Sequence, residues 1–291
     1  MTTTKEVLIL KNELAHSMKG KPYCRLTFRE QGGKTGVLNL YNNYQPILDH
    51  LKEKEVYFIE TDWTASFPTI QSYQPGTSAI SLFTNYLFPS QDYALTLLNQ
   101  LIGLITDSDL KTLLERIFTE EVKQAFILAP AAVRHHHPEC GGLLQHTREM
   151  MEFIYQITSN PHYQMVNFQV ALTGALLHDI SKLEEYTFGL LEPTEVTKEY
   201  LLGGHLSLGA ELVGRQAQEL DENKIANVKH IIRSHHFLPE WGAVAKPATL
   251  EAHLVFLADS WSSTLNRYTH CEFDPITRIG EVAGQKFVNL N

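Results

Sequence analysis

The sequence predicts a multidomain chain, with a small N-terminal β-barrel over residues 1–75 followed by an all-α domain over residues 76–291. Three observations carry this expectation. Up to about Tyr73 the apolar residues come in short alternating runs separated by glycine-containing turns. Gln74-Pro75-Gly76-Thr77-Ser78 then sets Pro and Gly side by side among polar neighbours, as linkers do. Beyond Phe88 the apolar positions recur at helical spacing.

Four runs read as strands: Val7-Leu8-Ile9-Leu10, Tyr23 to Phe28, Gly36 to Tyr41 and Val56 to Glu60. Lys19-Gly20-Lys21-Pro22 and Gln31-Gly32-Gly33-Lys34 punctuate them as turns, and Tyr44 to Lys54 reads as a short helix between strands. That arrangement is OB-like. An OB-fold binds single-stranded nucleic acid by stacking bases on aromatic side chains in a basic groove, a role open to Tyr23, Phe28 and Tyr41, each of which could equally be core. Tyr93 to Ile105, Ser108 to Leu128, Leu143 to Thr158, Tyr163 to Leu177, His205 to Leu220, Ile225 to His235 and Ala248 to Tyr268 read as helices. Thr187 to Leu202 is a polar, β-branched insert expected to form a lid or short hairpin, and the tail from Phe273 carries no clear pattern.

Composition, 43% hydrophobic and 20% charged, is that of a globular chain that buries a real core. No stretch approaches the roughly 20 uninterrupted apolar residues of a membrane helix, and the start has no apolar signal core, so a cytoplasmic protein that does not engage membranes is expected. Cys24, Cys140 and Cys271 are odd in number and far apart, which argues against a disulfide framework and against a cysteine zinc site. The net charge of −9 is unevenly spread. Residues 1 to 60 hold nine basic against seven acidic side chains, so the acidic excess lies in the second domain.

The most informative stretch is Leu176-Leu177-His178-Asp179-Ile180-Ser181-Lys182, which ends the apolar run from Ala171. A carboxylate in a packed interior costs several kcal/mol unless a counter-charge meets it. A bound cation satisfies both members of the pair, and a buried ion pair is the alternative. Neighbouring helical residues point about 100° apart, so a metal here needs ligands from other helices. His146, His205, the pair His235-His236 and Asp259 each stand against apolar, helix-like sequence and supply an ordered series of His, His-Asp, His, His-His and Asp.

That order resembles the HD superfamily of metal-dependent phosphohydrolases and, within it, the YhaM type of 3′-to-5′ exoribonuclease, which joins an OB-fold to an HD domain. The resemblance runs from about Leu110 to Asn266. It rests on His136-His137, Gly141-Gly142-Leu143-Leu144-Gln145-His146-Thr147, His178-Asp179, Gly204-His205 and Ser234-His235-His236 followed by Glu240-Trp241-Gly242. The resemblance implies that His146, His178, Asp179 and Asp259 hold one ion. His205 and one of the adjacent pair His235 and His236 serve a second, His235 being favoured and the other histidine standing behind it. Lys182 matches a family lysine and faces a phosphate oxygen, while His136 and His137 match a pair that contacts substrate or assists proton transfer. Ser181 departs from the family, which usually has Gly there.

Imidazole and carboxylate ligands without thiolate favour two divalent ions, manganese first and iron, zinc, cobalt or nickel as alternatives, with Asp179 the candidate bridge. The expected activity is metal-dependent phosphodiester hydrolysis from the 3′ end of single-stranded RNA or DNA, Asp179, Lys182, His136 and His137 forming the catalytic set. The alternatives are hydrolysis of small nucleotides or cyclic dinucleotides, and a non-catalytic nucleic-acid-binding module with a structural metal. Homo-oligomerisation is left open.

Overall fold

The computed structural model describes residues 2–133, 136–282 and 284–290, so His135, beside the His136-His137 pair, lies outside the described residues. The chain divides into two compact units, one running to Tyr86 and taking in Phe188–Pro193, the other comprising the remainder. The contact boundary thus falls after Tyr86, past the Gln74–Ser78 stretch expected as the linker.

The first unit is built on one antiparallel sheet. β1 (Thr3–His16), β2 (Pro22–Glu30), β3 (Thr35–Leu40), β4 (Val56–Thr61) and β5 (Ser72–Pro75) lie in the order β3-β2-β1-β4-β5. β1 is long enough to pair with β4 through its first half and with β2 through its second, with a register irregularity between Ile9 and Lys11. The run Val7-Leu8-Ile9-Leu10 is buried throughout because both faces of the sheet are covered there. Side chains alternate across a strand, so Val7 and Ile9 enter the cluster of Cys24, Leu26, Leu40, Ile59 and Ile47 of α1 (Gln45–His50), while Leu8 and Leu10 meet Phe83 behind.

The expected OB-like closed barrel is not found. Among the described residues no pairing joins β3 to β5, and β5 is a four-residue edge strand ending at Pro75, whose missing N–H suits an edge. Phe28 belongs to the core, 5% exposed and edge-on to Trp63. Tyr23 and Tyr41 instead stack on each other at the surface.

The second unit is helical, though not purely so. α2 (Gln91–Gly103), α3 (Ser108–Ile117) and α4 (Glu120–Phe126) lead in. The helix expected over Ser108 to Leu128 is two helices, because Thr119 is extended and its hydroxyl caps α4 through the N–H of Val122. α5 (Gly142–Thr158), α6 (Phe168–Leu177), α7 (Lys182–Glu185), α8 (Lys198–Leu202), α9 (His205–Gln216), α10 (Glu222–Ser234) and α11 (Leu250–Thr269) follow. The polar insert is a hairpin of β6 (Tyr186–Gly189) and β7 (Glu192–Val196), and the tail forms another, β8 (Ile279–Val282) with β9 (Gln285–Val288).

α6 is apolar nearly all round, buried from Val170 to Leu177, and packs against α5, α10 and α11. Glu251, in the first turn of α11, ties the start of α6 to the second turn of α10. Its carboxylate accepts the Asn167 backbone N–H ahead of α6 at 2.6 Å and the Asn227 amide of α10 at 3.0 Å. The ends of α6 and α10 are therefore set relative to α11, and those ends carry the His-Asp and His-His pairs. No described helix is long and apolar enough to cross a membrane.

Candidate metal centre

His178 and His235 are placed by the same local device. Each is the C-cap residue of an apolar-faced helix, α6 or α10, and each sets its ring Nδ1 2.8 Å from the carbonyl three residues back, Ala175 or Ile232. A helix end leaves its last carbonyls without intrahelical partners, so an imidazole there finds an acceptor at once. With Nδ1–H donated to that carbonyl, Nε2 of each ring is left as a lone pair facing the interior. His205, the first residue of α9, is held in the same sense by a carboxylate, Nδ1 lying 3.0 Å from Oε2 of the fully buried Glu185.

His146 stands on the second turn of α5. Gly141 begins that helix in the left-handed region, at φ 86°, and Gly142 packs so tightly that a Cβ would collide with the carbonyl oxygen of His137. Glycine at both positions lets the helix start against the loop carrying His136 and His137.

The lone pairs converge. Nε2 of His146 is 3.2 Å from Asp259 Oδ1 and 3.3 Å from Nε2 of His178, which is itself 3.1 Å from Asp179 Oδ2. Asp179 is buried and two-sided. Oδ2 meets His178 and Lys182, while Oδ1 faces Nε2 of His205 at 3.4 Å and of His235 at 3.7 Å. Three sets each offer ligand atoms within 4.8 Å of one another: His146-His178-Asp179 and His136-His146-Asp259, which share His146, and His205-His235-His236, whose members His205 and His235 face Asp179 Oδ1. All seven residues expected as ligands are therefore brought together. No such set among the described residues includes a cysteine, Cys140 included.

The donor set fits divalent cations on two further grounds. Asp179 Oδ1, His205 Nε2, His136 Nε2 and His236 Nδ1 are buried with no hydrogen-bond partner, which is costly in an interior that no cation enters. The charge states also suit ligation. Burial pushes the imidazoles of His136, His146, His235 and His236 down and so keeps them neutral, although Asp259 opposes this at His146. Asp179 and Asp259 are held below the usual carboxylate range despite burial, the first by His178 and Lys182 and the second chiefly by His146. His178 is the exception. Burial lowers it, but Asp179, Asp259 and the Ala175 carbonyl together raise it.

The expected catalytic set is placed unevenly. His136 lies against His146, ring centroids 5.1 Å apart, with its Nε2 in the ligand group. His137 stands behind that layer, 2% exposed, with its ring between Asn266, Ser262 and Glu149. The Lys182 ammonium bonds Asp179 Oδ2 and the Ala131 carbonyl, each at 2.6 Å, and so orients the carboxylate. These two acceptors take two of its three protons. Sequence reading missed Glu149, Glu185, Ser262 and Asn266, though the spacing signals them. Glu149 is one turn from His146, and Ser262 and Asn266 repeat the face of Asp259 on α11.

The HD domain family profile matches residues 143–263, which span α5 through most of α11. The chain carries an HD domain. Curated relatives named 3′-5′ exoribonuclease YhaM align with it. The Oceanobacillus iheyensis protein is 30% identical over 155 residues, 53% of this chain and 48% of the relative. The Listeria innocua protein is 32% identical over 153 residues (52% and 48%), and that of Bacillus licheniformis 30% over 158 residues (53% and 49%). The chain spans about half the length of the curated relatives it matches. No solved structure gives a significant match. The profile's limits enclose the HD-domain histidines from His146 to His236 and Asp259 but exclude His136 and His137.

Proposed function

We propose that this chain is a metal-dependent phosphodiester hydrolase that removes nucleotides from the 3′ end of single-stranded nucleic acid, RNA before DNA. One observation carries it. A buried carboxylate, Asp179, turns one oxygen toward the His146-His178 side and the other toward His205 and His235, which is how a residue shared by two ions is oriented. The direction and the polymer are supported by the 3′-5′ exoribonuclease activity for which the YhaM relatives are named.

In this reading His146, His178, Asp179 and Asp259 would hold one ion and Asp179, His205 and His235 a second, with His236 and His136 at the margins. Divalent ions, manganese first among the candidates, would lower the pKa of water and neutralise charge on the phosphate when bound there. The chain's own residues do the placing. Carbonyls of Ala175 and Ile232 and the carboxylate of Glu185 fix three imidazoles as Nε2 ligands, and Lys182 keeps Asp179 ionised and turned. His136, whose Nε2 has no hydrogen-bond partner, is placed to take or give a proton at substrate.

The sheet unit is proposed to hold the strand. Tyr23 and Tyr41 stack with ring centroids 4.7 Å apart, Phe67 stands edge-on to Tyr41 and 71% exposed, and the Lys21 ammonium lies 5.7 Å from the Tyr41 ring. Partly exposed rings beside a cation are what bases and phosphates need.

Digestion of 3′- and 5′-labelled RNA, DNA and cyclic dinucleotides across a manganese titration tests the reading. Stepwise shortening of RNA from the 3′ end is expected. Cleavage of small nucleotides alone would replace the polymer assignment, and no metal-dependent product from any of them would end it.

A further inference from the structure

Behind His146 lies a hydrogen-bonded chain whose proton positions can be worked out from the partners. Asn266 settles its own amide first. Its Oδ1 accepts the backbone N–H of His137 at 2.9 Å, so its Nδ2 is the group 3.1 Å from His137 Nδ1. An amide nitrogen only donates, so Nδ1 of His137 accepts and Nε2 bears the proton. That Nε2–H faces the Ser262 hydroxyl, 3.3 Å from Oγ, and the Glu149 carboxylate, 3.2 Å from Oε2, so it is spent within this chain. Ser262 Oγ donates its single proton to the same oxygen at 2.6 Å, and the Gln145 amide donates to Oε1 at 2.8 Å.

Glu149 therefore receives three donors, and these contacts hold its carboxyl at about 2 although burial raises it. Its role as acceptor is fixed at neutral pH. With the Ser262 proton committed to Glu149, Ser262 Oγ can only accept from His146 Nδ1, 2.9 Å away. His146 must then carry its proton on Nδ1 and present a bare Nε2 toward Asp259 and His178.

We propose that Glu149, acting through Ser262, is a positioning residue for the metal centre: the relay Glu149–Ser262–His146 enforces the imidazole tautomer that can ligate and raises the basicity of its Nε2. The inference rests on the metal reading above and adds to it a residue that touches no ion. It also assigns His137, which completes the Glu149 cage and has no proton free for substrate. Carboxylates that hold the far nitrogen of a ligating histidine typically contribute about 10- to 100-fold in metal affinity. The HD-domain site has one such direct carboxylate, Glu185 on His205, and this relay is its counterpart on His146.

The test is manganese binding by calorimetry together with long-range nitrogen–proton NMR of the histidine rings in metal-free protein, on the full chain. Glu149→Gln replaces one acceptor oxygen with a donor, freeing the Ser262 proton to turn toward His146. The expected results are a shift of His146 toward the Nε2–H tautomer and a loss of about 10- to 100-fold in affinity at the tighter site. Ser262→Ala should lose a similar factor, and Ser262→Thr, which keeps the hydroxyl, should retain wild-type binding and tautomer. If Glu149→Gln and Ser262→Ala fold, bind manganese like wild type and keep Nδ1–H on His146, the relay is wrong while the metal reading stands. Wild-type protein that binds no manganese would overturn both.

Discussion

The two units bury polar side chains for opposite reasons. In the sheet unit the Arg29 guanidinium, 3% exposed, ends on the carbonyls of Leu190 and Glu192 at 2.7 and 3.3 Å, and the Thr61 hydroxyl ends on the Thr69 carbonyl. Those bonds are complete within the protein and lock loops in place. In the helical unit Asp179 Oδ1, His205 Nε2 and His136 Nε2 are buried around one point without hydrogen-bond partners. Burial alone therefore does not mark a functional group. What marks the site is which atoms have a protein partner: Nδ1 of His178, His205 and His235 is tied to a carbonyl or carboxylate, while Asp179 Oδ1 and His205 Nε2 have no hydrogen-bond partner.

The largest effect expected from breaking this contrast is at Asp179. Asp179→Ala removes the carboxylate that faces both sides of the site and leaves Lys182 buried with only the Ala131 carbonyl. Hydrolysis should fall below detection, and bound manganese should fall with it while the helical far-UV signal persists. Metal analysis of the purified variant decides this. Full metal content with full activity would remove Asp179 from the centre. His235→Ala comes next, because it takes one nitrogen from the His205 side and none from the His146 side. Stoichiometry should drop from two ions toward one with about 10²-fold or greater loss of rate, if charge neutralisation at the second position is worth what such electrostatic terms usually are. Unchanged stoichiometry would make the site mononuclear.

The converse experiment belongs to the sheet unit, where a buried cation should matter to stability and not to chemistry. Arg29→Met retains most of the side-chain length but leaves the Leu190 and Glu192 carbonyls without their donor. A cost of about 1 to 3 kcal/mol is expected for buried groups so left, read as a lower denaturant midpoint for the sheet transition. Hydrolysis of a small phosphodiester should be unaffected. A variant as stable as wild type would show that those carbonyls find water.

The sequence made the candidate ligands legible because chemistry restricts them. Histidine and aspartate at the ends of apolar runs have few bland explanations, and the seven positions named on that ground are brought together on the two sides of Asp179. The supports were less legible, since helical spacing alone ties Glu149 and Ser262 to the faces of His146 and Asp259. Ala175 and Ile232 act through their carbonyls, which no side-chain pattern records, and Glu149 and Ser262 look like an ordinary solvated glutamate and serine until α5 and α11 are brought together. The sheet was read from alternation, which gives strands without saying whether the edges close. Closure depends on a pairing between β3 and β5 that no local signal specifies, and the four-residue β5 does not supply it.

The smallest effect expected is at the aromatic surface of the sheet unit, and it tests whether that unit touches substrate at all. Tyr41 is the middle ring, between Tyr23 and Phe67 and beneath Lys21. Tyr41→Ala should weaken single-stranded RNA binding by about 1 to 3 kcal/mol, the usual contribution of one stacked base, with little change in salt dependence. Lys21→Ala should do the reverse. Each neutralised phosphate contributes a slope of about −0.7 in a plot of log affinity against log salt for single strands, so removing one contact should flatten the slope by about that amount. Neither change should alter cleavage of a small phosphodiester, because neither side chain belongs to the helical unit that carries the candidate metal ligands. Binding measured by fluorescence anisotropy from about 50 to 200 mM salt separates the two effects. If both variants match wild type in affinity and slope, the paired tyrosines are packing for their own sheet, and the RNA-holding role of the sheet unit fails.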